Sequence, residues 1–191
     1  MPPVVTRLSF VLLCMVFASC STSRTLRPML DGYPGTLTKS TSTALFQIPQ
    51  NWITVEAQSN KYGSHSHGRY SIIPKSERNT KPRPVISILF SRLDPTAPAT
   101  EAGQAESHLS GIHSHYDDKV IMDAIETVDN QQHGTIPIHY LHSSYYGYRL
   151  YAVLVRPPLA LSCELTCRDP DTLAEYRPAF EELVKTMTIN E

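Results

Sequence analysis

The chain has 191 residues, a formal net charge of −1 at pH 7 and 18% charged side chains. Electrostatic binding of nucleic acid depends on many Lys and Arg contacts to phosphate, so this composition argues against a nucleic-acid partner. The length suits one domain with a sizeable core. The sequence contains no nucleophile elbow, phosphate-binding loop, zinc-protease motif or dinucleotide-binding motif, and we predict that the protein is not an enzyme.

The first twenty residues are typical of a bacterial export signal. Arg7 supplies a positive charge, and residues 8–17 form an apolar run. A helix of that length rises about 15 Å, half of a hydrocarbon core, and therefore cannot span a bilayer. The run ends in Phe17-Ala18-Ser19-Cys20, which resembles the bacterial lipobox, although Leu is usual where Phe17 stands. We predict a signal peptide over residues 1–19 and lipidation of the Cys20 thiol.

A lipid on Cys20 would anchor the mature chain to a membrane of the bacterial cell envelope. Ser21 stands where an Asp would favour inner-membrane retention in enteric-type systems, so we expect the outer membrane, with the domain facing the periplasm. The alternative is ordinary signal-peptidase cleavage near Ala18 or Ser19, which would release a soluble secreted protein. Residues 20–42 are rich in Ser, Thr, Gly and Pro and predict a tether.

Residues 43–191 predict one α+β domain, in which short alternating segments mark strands. Trp52 follows the first strand and is expected to close one end of the core, and residues 58–69 are expected to form a polar loop. Strands are predicted at residues 44–49, 70–73, 85–90, 120–128, 136–141, 148–155 and 159–167.

Two helices are predicted from apolar residues that recur at spacings of three and four. The first begins near Glu101 with Thr100 as its N-cap, and the second follows Asp169, with Pro178 in the first turn of its main segment. The expected buried faces contain Ala102, Ala105, Leu109, Ile112 and Tyr116 in the first helix, and Tyr176, Phe180, Leu183, Val184 and Met187 in the second. This order of elements predicts an antiparallel sheet covered by helices.

The cysteines of the predicted domain are expected to remain reduced. Cys163 and Cys167 lie four residues apart in an alternating segment. On a strand their Cα atoms would be about 13 Å apart, beyond the roughly 7 Å that a disulfide can bridge. With Cys20 lipidated, both thiols are predicted to be small core side chains.

Two short segments carry a family resemblance. The opening strand-Pro-x-x-Trp contains Phe46, Ile48, Pro49 and Trp52, and the closing segment covers residues 173–187. Both are similar to the superfamily that contains the PsbP extrinsic subunit of photosystem II and the Ran-binding nuclear import factor of yeast, with many bacterial lipoproteins. A Ser-Phe pair is common there where this chain has Thr186-Met187. The resemblance implies a PsbP-like fold and a non-catalytic module that docks onto larger assemblies.

Eight histidines suggest a metal site as an alternative. The candidate ligands are His108, His113, His115 and Asp117. On a helix, however, His113 and His115 point about 200° apart, and His108 and His115 are about 10 Å apart along the axis. We therefore interpret the histidines as exposed polar residues and predict no cofactor, with a zinc- or copper-binding envelope lipoprotein as the second hypothesis.

The tyrosines near residue 145 are the remaining candidate surface. Tyr145, Tyr146 and Tyr148 could form a patch that binds an envelope protein, because Tyr is enriched in interfaces. The alternative is that they are core residues or isolated surface aromatics. Our leading hypothesis is a membrane-tethered envelope lipoprotein that acts as a non-catalytic interaction or accessory module. A hydrolase ranks third.

Overall fold

The architecture was obtained as a computed structural model, which describes residues 34–39, 42–58, 66–93, 96, 98–116, 121–143 and 147–190. These residues form ten strands, two α-helices and a short 3₁₀ helix at Lys75–Glu77. The strands are β1 (Pro34–Lys39), β2 (Ser42–Gln47), β3 (Trp52–Gln58), β4 (Ser66–Pro74), β5 (Val85–Arg92), β6 (Ile121–Asn130), β7 (Gly134–Ser143), β8 (Gly147–Arg156), β9 (Leu159–Cys167) and β10 (Thr188–Asn190). The helices are α1 (Glu101–Tyr116) and α2 (Pro170–Thr186).

Seven strands form one antiparallel sheet in the order β3-β4-β5-β9-β8-β7-β6. The strands from β6 to β9 follow one another as a meander, and β5 joins it through β9. A second antiparallel sheet has the order β1-β2-β10. The predicted α+β class with an antiparallel sheet and helices is therefore confirmed.

Strand periodicity places alternate side chains on opposite faces of the large sheet. In β9, the odd-numbered residues from Leu159 to Cys167 are buried on the face that carries the main core. The main core lies between this face, α2 and the small sheet, and includes Phe46, Phe90 and Phe180. A smaller apolar cluster lies on the other face beneath α1. It contains Leu93, Ala105, Leu141, Tyr151, Val153 and Ala160, with Leu109, Ile112 and Val155 at its margin.

Helix α2 is defined at both ends by side-chain hydrogen bonds. The Asp169 carboxylate accepts from the Thr172 backbone N–H at 2.8 Å, which satisfies an otherwise unpaired donor of the first turn. At the other end, the buried Asn130 amide donates to the carbonyls of Val184 and Met187, both at 2.8 Å. Pro178 lies inside the helix and not in its first turn as predicted, because the capped helix begins earlier, at Pro170.

In helix α1 the predicted N-cap is confirmed, but one residue predicted to be buried is exposed. Thr100 Oγ1 accepts from Gly103 N at 3.2 Å, as expected for the N-cap. Ala105 is buried under the helix as predicted, but Ala102 is exposed. Gly103 is the buried neighbour instead, because Pro98 packs so closely that an added Cβ would lie 2.2 Å from the Pro98 Cβ.

Three strand assignments also differ from the sequence predictions. Strand β1 lies inside the segment predicted as a tether, so the paired structure begins at Pro34 and not at residue 43. Its polar sequence has no apolar period, and pairing with β2 provides its backbone partners. Strand β3 was not predicted, although Ile53, Val55 and Ala57 alternate with polar residues in its sequence. Its pairing with β4 shifts register between Thr54 and Glu56. Strand β4 begins at Ser66, inside the predicted polar loop.

The predicted core position of Trp52 is confirmed. Its side chain is 3% exposed and meets Tyr176 edge to face, with ring centroids 5.6 Å apart. Strand β9 also contains both cysteines as predicted, and the two thiols are buried and free. Neither described helix is long and apolar enough to cross a bilayer.

Candidate functional sites

The first candidate site is a mainly apolar groove where the start of α2 crosses the large sheet, on the main-core face. Its volume is about 310 Å³. We call it the α2 groove, and it is lined by Tyr140, Leu150, Pro170, Leu173, Ala174 and Arg177. One face of α2 forms one wall of the groove, because the lining residues of the helix recur at helical spacing (Pro170, Leu173, Ala174 and Arg177).

Aromatic rings continue beyond the groove along β7 and β8. The rings of Tyr140 and Tyr148 have centroids 6.3 Å apart, and His142 stacks on Tyr148 at 4.4 Å. Both tyrosines are half-buried against the main core. Burial, followed by the proximity of Tyr148, raises the pKa of Tyr140. The Tyr140 phenol therefore stays neutral at physiological pH.

The charges around the α2 groove are unevenly matched. Arg177 forms ion pairs with Glu126 at 2.5 Å and with Glu181 at 2.6 Å, and the hydrogen bonds to Glu181 and Glu126 raise its pKa. Its one positive charge is therefore outnumbered by two carboxylates. These two glutamates leave a net negative charge beside the lining residue Arg177. The rim of the groove is consequently acidic.

The second candidate site is a cleft between α1 and the opposite face of the sheet, with a volume of about 190 Å³. We call it the α1 cleft, and it is lined by Leu89, Ser91, Gln104, Ser107, His108, Tyr151, Val153, Ala160 and Ser162. Helix α1 supplies one wall, and β5, β8 and β9 supply the floor.

A charged network borders the α1 cleft and is centred on Glu164. One carboxylate oxygen lies 2.8 Å from His108 Nε2, and the other accepts from Arg149 Nη1 at 2.7 Å and from Thr166 Oγ1 at 3.2 Å. Burial alone would raise the pKa of Glu164, but the hydrogen bond from His108 and the charge of Arg149 together outweigh it, and the net pKa is lowered. Glu164 is therefore ionised at neutral pH and fixes the orientation of the imidazole.

Aromatic packing also holds His108 in place. Its ring is stacked on Tyr151 with centroids 4.3 Å apart and an interplanar angle of 7°. Burial raises the pKa of Tyr151, whose side chain hydrogen-bonds to Ser162. On the neighbouring strand, His139 pairs in register with Tyr151, and burial lowers its pKa. His139 Nε2 has no hydrogen-bond partner among the residues that the structure describes.

The site residues that were predicted from the sequence do not lie together, because they are found on both faces of the sheet. Tyr148 lies beside the α2 groove, whereas His108 borders the α1 cleft and contacts Glu164. Cys20, Asp117, Tyr145 and Tyr146 lie outside the described residues, as do the side chains of His113 and His115. Within the described part of the chain, no three His, Cys, Asp or Glu side chains are grouped to hold a metal ion.

Neither cysteine of β9 is poised for redox or nucleophilic chemistry. Burial raises the pKa of Cys163, and it raises that of Cys167 to about 12. The thiolate is the reactive form of cysteine, and these environments disfavour it.

Glu164, Arg149 and the α2 wall of the groove were not predicted from the sequence. A signal for Glu164 was present, because a carboxylate in an otherwise apolar and small-residue strand requires a partner when its face is covered. The identity of that partner depended on register and on α1, which bring Arg149 and His108 to it from two other elements.

Together, the layers and the element order define a PsbP-like α+β domain. The structure is similar to the solution structure of cyanobacterial PsbP (CyanoP) from Synechocystis sp. PCC 6803, with a TM-score of 0.52 and 10% sequence identity. The match covers 83% of this chain and 94% of the cyanobacterial chain. The predicted PsbP-like fold is thus confirmed. Searches with protein-family models and of curated proteins found no match.

Proposed function

We propose that this protein is a lipid-anchored accessory module of the bacterial envelope that has no catalysis of its own and docks onto a partner protein through the α2 groove. The groove itself carries the proposal. It combines an apolar wall, an aromatic margin and an acidic rim, in which two glutamates pair with one arginine. The PsbP-like fold supports this role, since that superfamily is associated with docking onto larger assemblies.

The chemistry of the groove selects one kind of occupant. Leu150, Leu173 and Ala174 offer contacts to an apolar side chain, and Tyr140 adds a ring edge. Glu126 and Glu181, two carboxylates against the single guanidinium of Arg177, favour positive charge beside that side chain. The expected partner is therefore a protein segment with an apolar anchor residue flanked by Lys or Arg.

A pair of synthetic peptides tests the groove directly. One carries a single Leu flanked by Lys residues, and the other has Glu in place of each Lys. Titration into ¹⁵N-labelled protein should shift the backbone amides of Ala174 and Arg177 with the Lys peptide and much less with the Glu peptide. Ala174→Arg should abolish the shifts, whereas Glu182→Arg, on an exposed position of the same helix, should retain them. Equal responses to both peptides would refute the acidic-rim model.

The lipid anchor has a separate test. The mass of the mature N-terminus of protein purified from bacterial membranes should correspond to acylated Cys20, and Cys20→Ala should move the protein to the soluble fraction. An unmodified Cys20, or a mature chain that starts elsewhere, would contradict the anchor without affecting the groove.

A further inference from the structure

The α1 cleft lies on the opposite face of the sheet from the α2 groove, and its lining has a different chemistry. Four hydroxyl groups and one amide surround it, contributed by Ser91, Ser107, Ser162, Tyr151 and Gln104. A hydroxyl both donates and accepts hydrogen bonds. The lining therefore complements a ligand that also does both.

The charged groups beside the cleft already satisfy one another. Glu164 forms an ion pair with Arg149 and a hydrogen bond with His108. An anionic ligand would have to compete with Glu164 for Arg149, and a cationic ligand would have to compete with Arg149 for Glu164. Because desolvating an ion without a dedicated counter-charge is costly, the cleft favours a neutral ligand.

Several of the polar groups are held in position before any ligand binds. Gln104 Nε2 donates to the Pro98 carbonyl at 2.7 Å, which leaves its amide oxygen as the acceptor for the cleft. His108 Nε2 contacts Glu164, which leaves Nδ1 as the ring nitrogen that can serve a ligand. Tyr151 is held both by the His108 stack and by Ser162. Such preorganisation reduces the entropy lost on binding.

The dimensions limit the ligand to one small ring. The volume of about 190 Å³ lies below the roughly 300–1,000 Å³ of pockets for drug-sized molecules. Leu89, Val153 and Ala160 add apolar contacts that suit the C–H face of a saturated ring. We propose that the α1 cleft is a binding site for a neutral, polyhydroxylated ligand of the size of one sugar ring. This site is independent of the proposed docking function.

The test is an NMR titration of the full domain with D-glucose, D-ribose and N-acetylglucosamine as probes, beside adenine and inorganic phosphate. At least one sugar should shift the amides of Gln104, Ser107 and Ser162 in a saturable manner. Ser162→Ala should weaken that binding about fivefold through the loss of one neutral hydrogen bond. Ser107→Leu should place a bulky side chain at the rim of the cleft and abolish sugar binding. Ser110→Leu, at the next exposed position along α1, should leave sugar binding intact.

Three other outcomes would overturn the proposal that the α1 cleft binds a sugar ring. Saturable binding of phosphate or adenine without any sugar would mean that charge or a planar base is recognised. Unchanged sugar binding in folded Ser107→Leu protein would place the ligand elsewhere. The absence of saturable shifts with all three sugars, in protein whose amide spectrum shows an intact fold, would remove the site.

Discussion

The two helices cover opposite faces of one sheet, but they are held there in different ways. Helix α2 is capped by Asp169 and buries Leu173, Phe180, Leu183 and Val184 in the main core. Helix α1 contains two glycines, and apart from Ala105 its apolar contacts, Leu109 and Ile112, are only partly buried. Tertiary packing provides most helix stability in proteins. We therefore expect contacts on the α2 side to contribute more to stability than contacts on the α1 side.

The largest expected effect is the contrast between one core residue from each helix. Phe180→Ala should lower the free energy of unfolding by about 3–5 kcal/mol, because the ring is 0% exposed and leaves a cavity. Leu109→Ala should cost only about 1 kcal/mol, since its side chain is already partly in water. Urea denaturation of both variants measures the difference. Equal losses would contradict the proposed difference between the helices.

Asn130 is expected to show the next largest effect, because it connects the β6–β7 turn to the end of α2. Its amide donates to Val184 O and Met187 O, and its oxygen accepts from two backbone N–H groups of the turn. Asn130→Ala should cost about 2–3 kcal/mol, since several backbone groups lose their partner together. The exposed neighbour Gln132→Ala should be nearly neutral. A small loss at Asn130 would show that water replaces these bonds.

The polar contact that joins α1 to the sheet should make stability depend on pH. The folded-state pKa of Glu164 is lowered, so its contribution is complete above the unfolded pKa near 4.5 and is lost as the pH falls through the folded value. Glu164→Gln should cost about 1.5–3 kcal/mol at pH 7, as for the loss of hydrogen bonds to a charged group, and progressively less in acid.

Denaturation of both proteins between pH 3 and pH 7 isolates this effect. His139, whose pKa is lowered by burial, should destabilise both proteins as the pH falls below its unfolded value of 6.5. Its contribution therefore cancels in the difference between them. A difference that stays constant down to pH 3 would contradict the role assigned to Glu164.

The smallest effect is expected from the glycines of α1, which offer a matched pair. A Cβ at Gly111 would meet no atom within 4 Å, so Gly111→Ala should stabilise the protein by about 0.5–1 kcal/mol through helix propensity. Gly103→Ala should destabilise it, because its Cβ would lie 2.2 Å from the Pro98 Cβ. Thermal melting of both variants measures these two changes in stability. Stabilisation by both would mean that α1 does not pack against Pro98 as described.

The sequence predicted elements well where one strong period was present. Strand β9 and the buried stripe of α2 follow directly from their apolar spacing. Strand β1 has no such period and exists through pairing with β2, and β3 is short and pairs with β4 through a shifted register. These strands depend on non-local partners, which a local pattern does not contain.

The candidate sites were less predictable than the fold for the same reason. Tyr148 and His108 were identified as residue types with possible functions, but their partners come from distant parts of the chain. The network around Glu164 joins β8, β9 and α1, and the α2 groove joins β7, β8 and α2. Only the assembled sheet brings these side chains together.

In vivo photo-crosslinking from two positions tests the central claim that the α2 groove is the docking surface. A photoreactive residue placed at Ala174 in the full-length chain should crosslink one envelope protein, and Glu126→Lys should reduce that crosslink by reversing one of the two negative charges beside Arg177. The same residue placed at Gln104, in the α1 cleft, should not yield this product. Crosslinks that are identical from both positions, or that are unaffected by Glu126→Lys, would contradict docking at the groove.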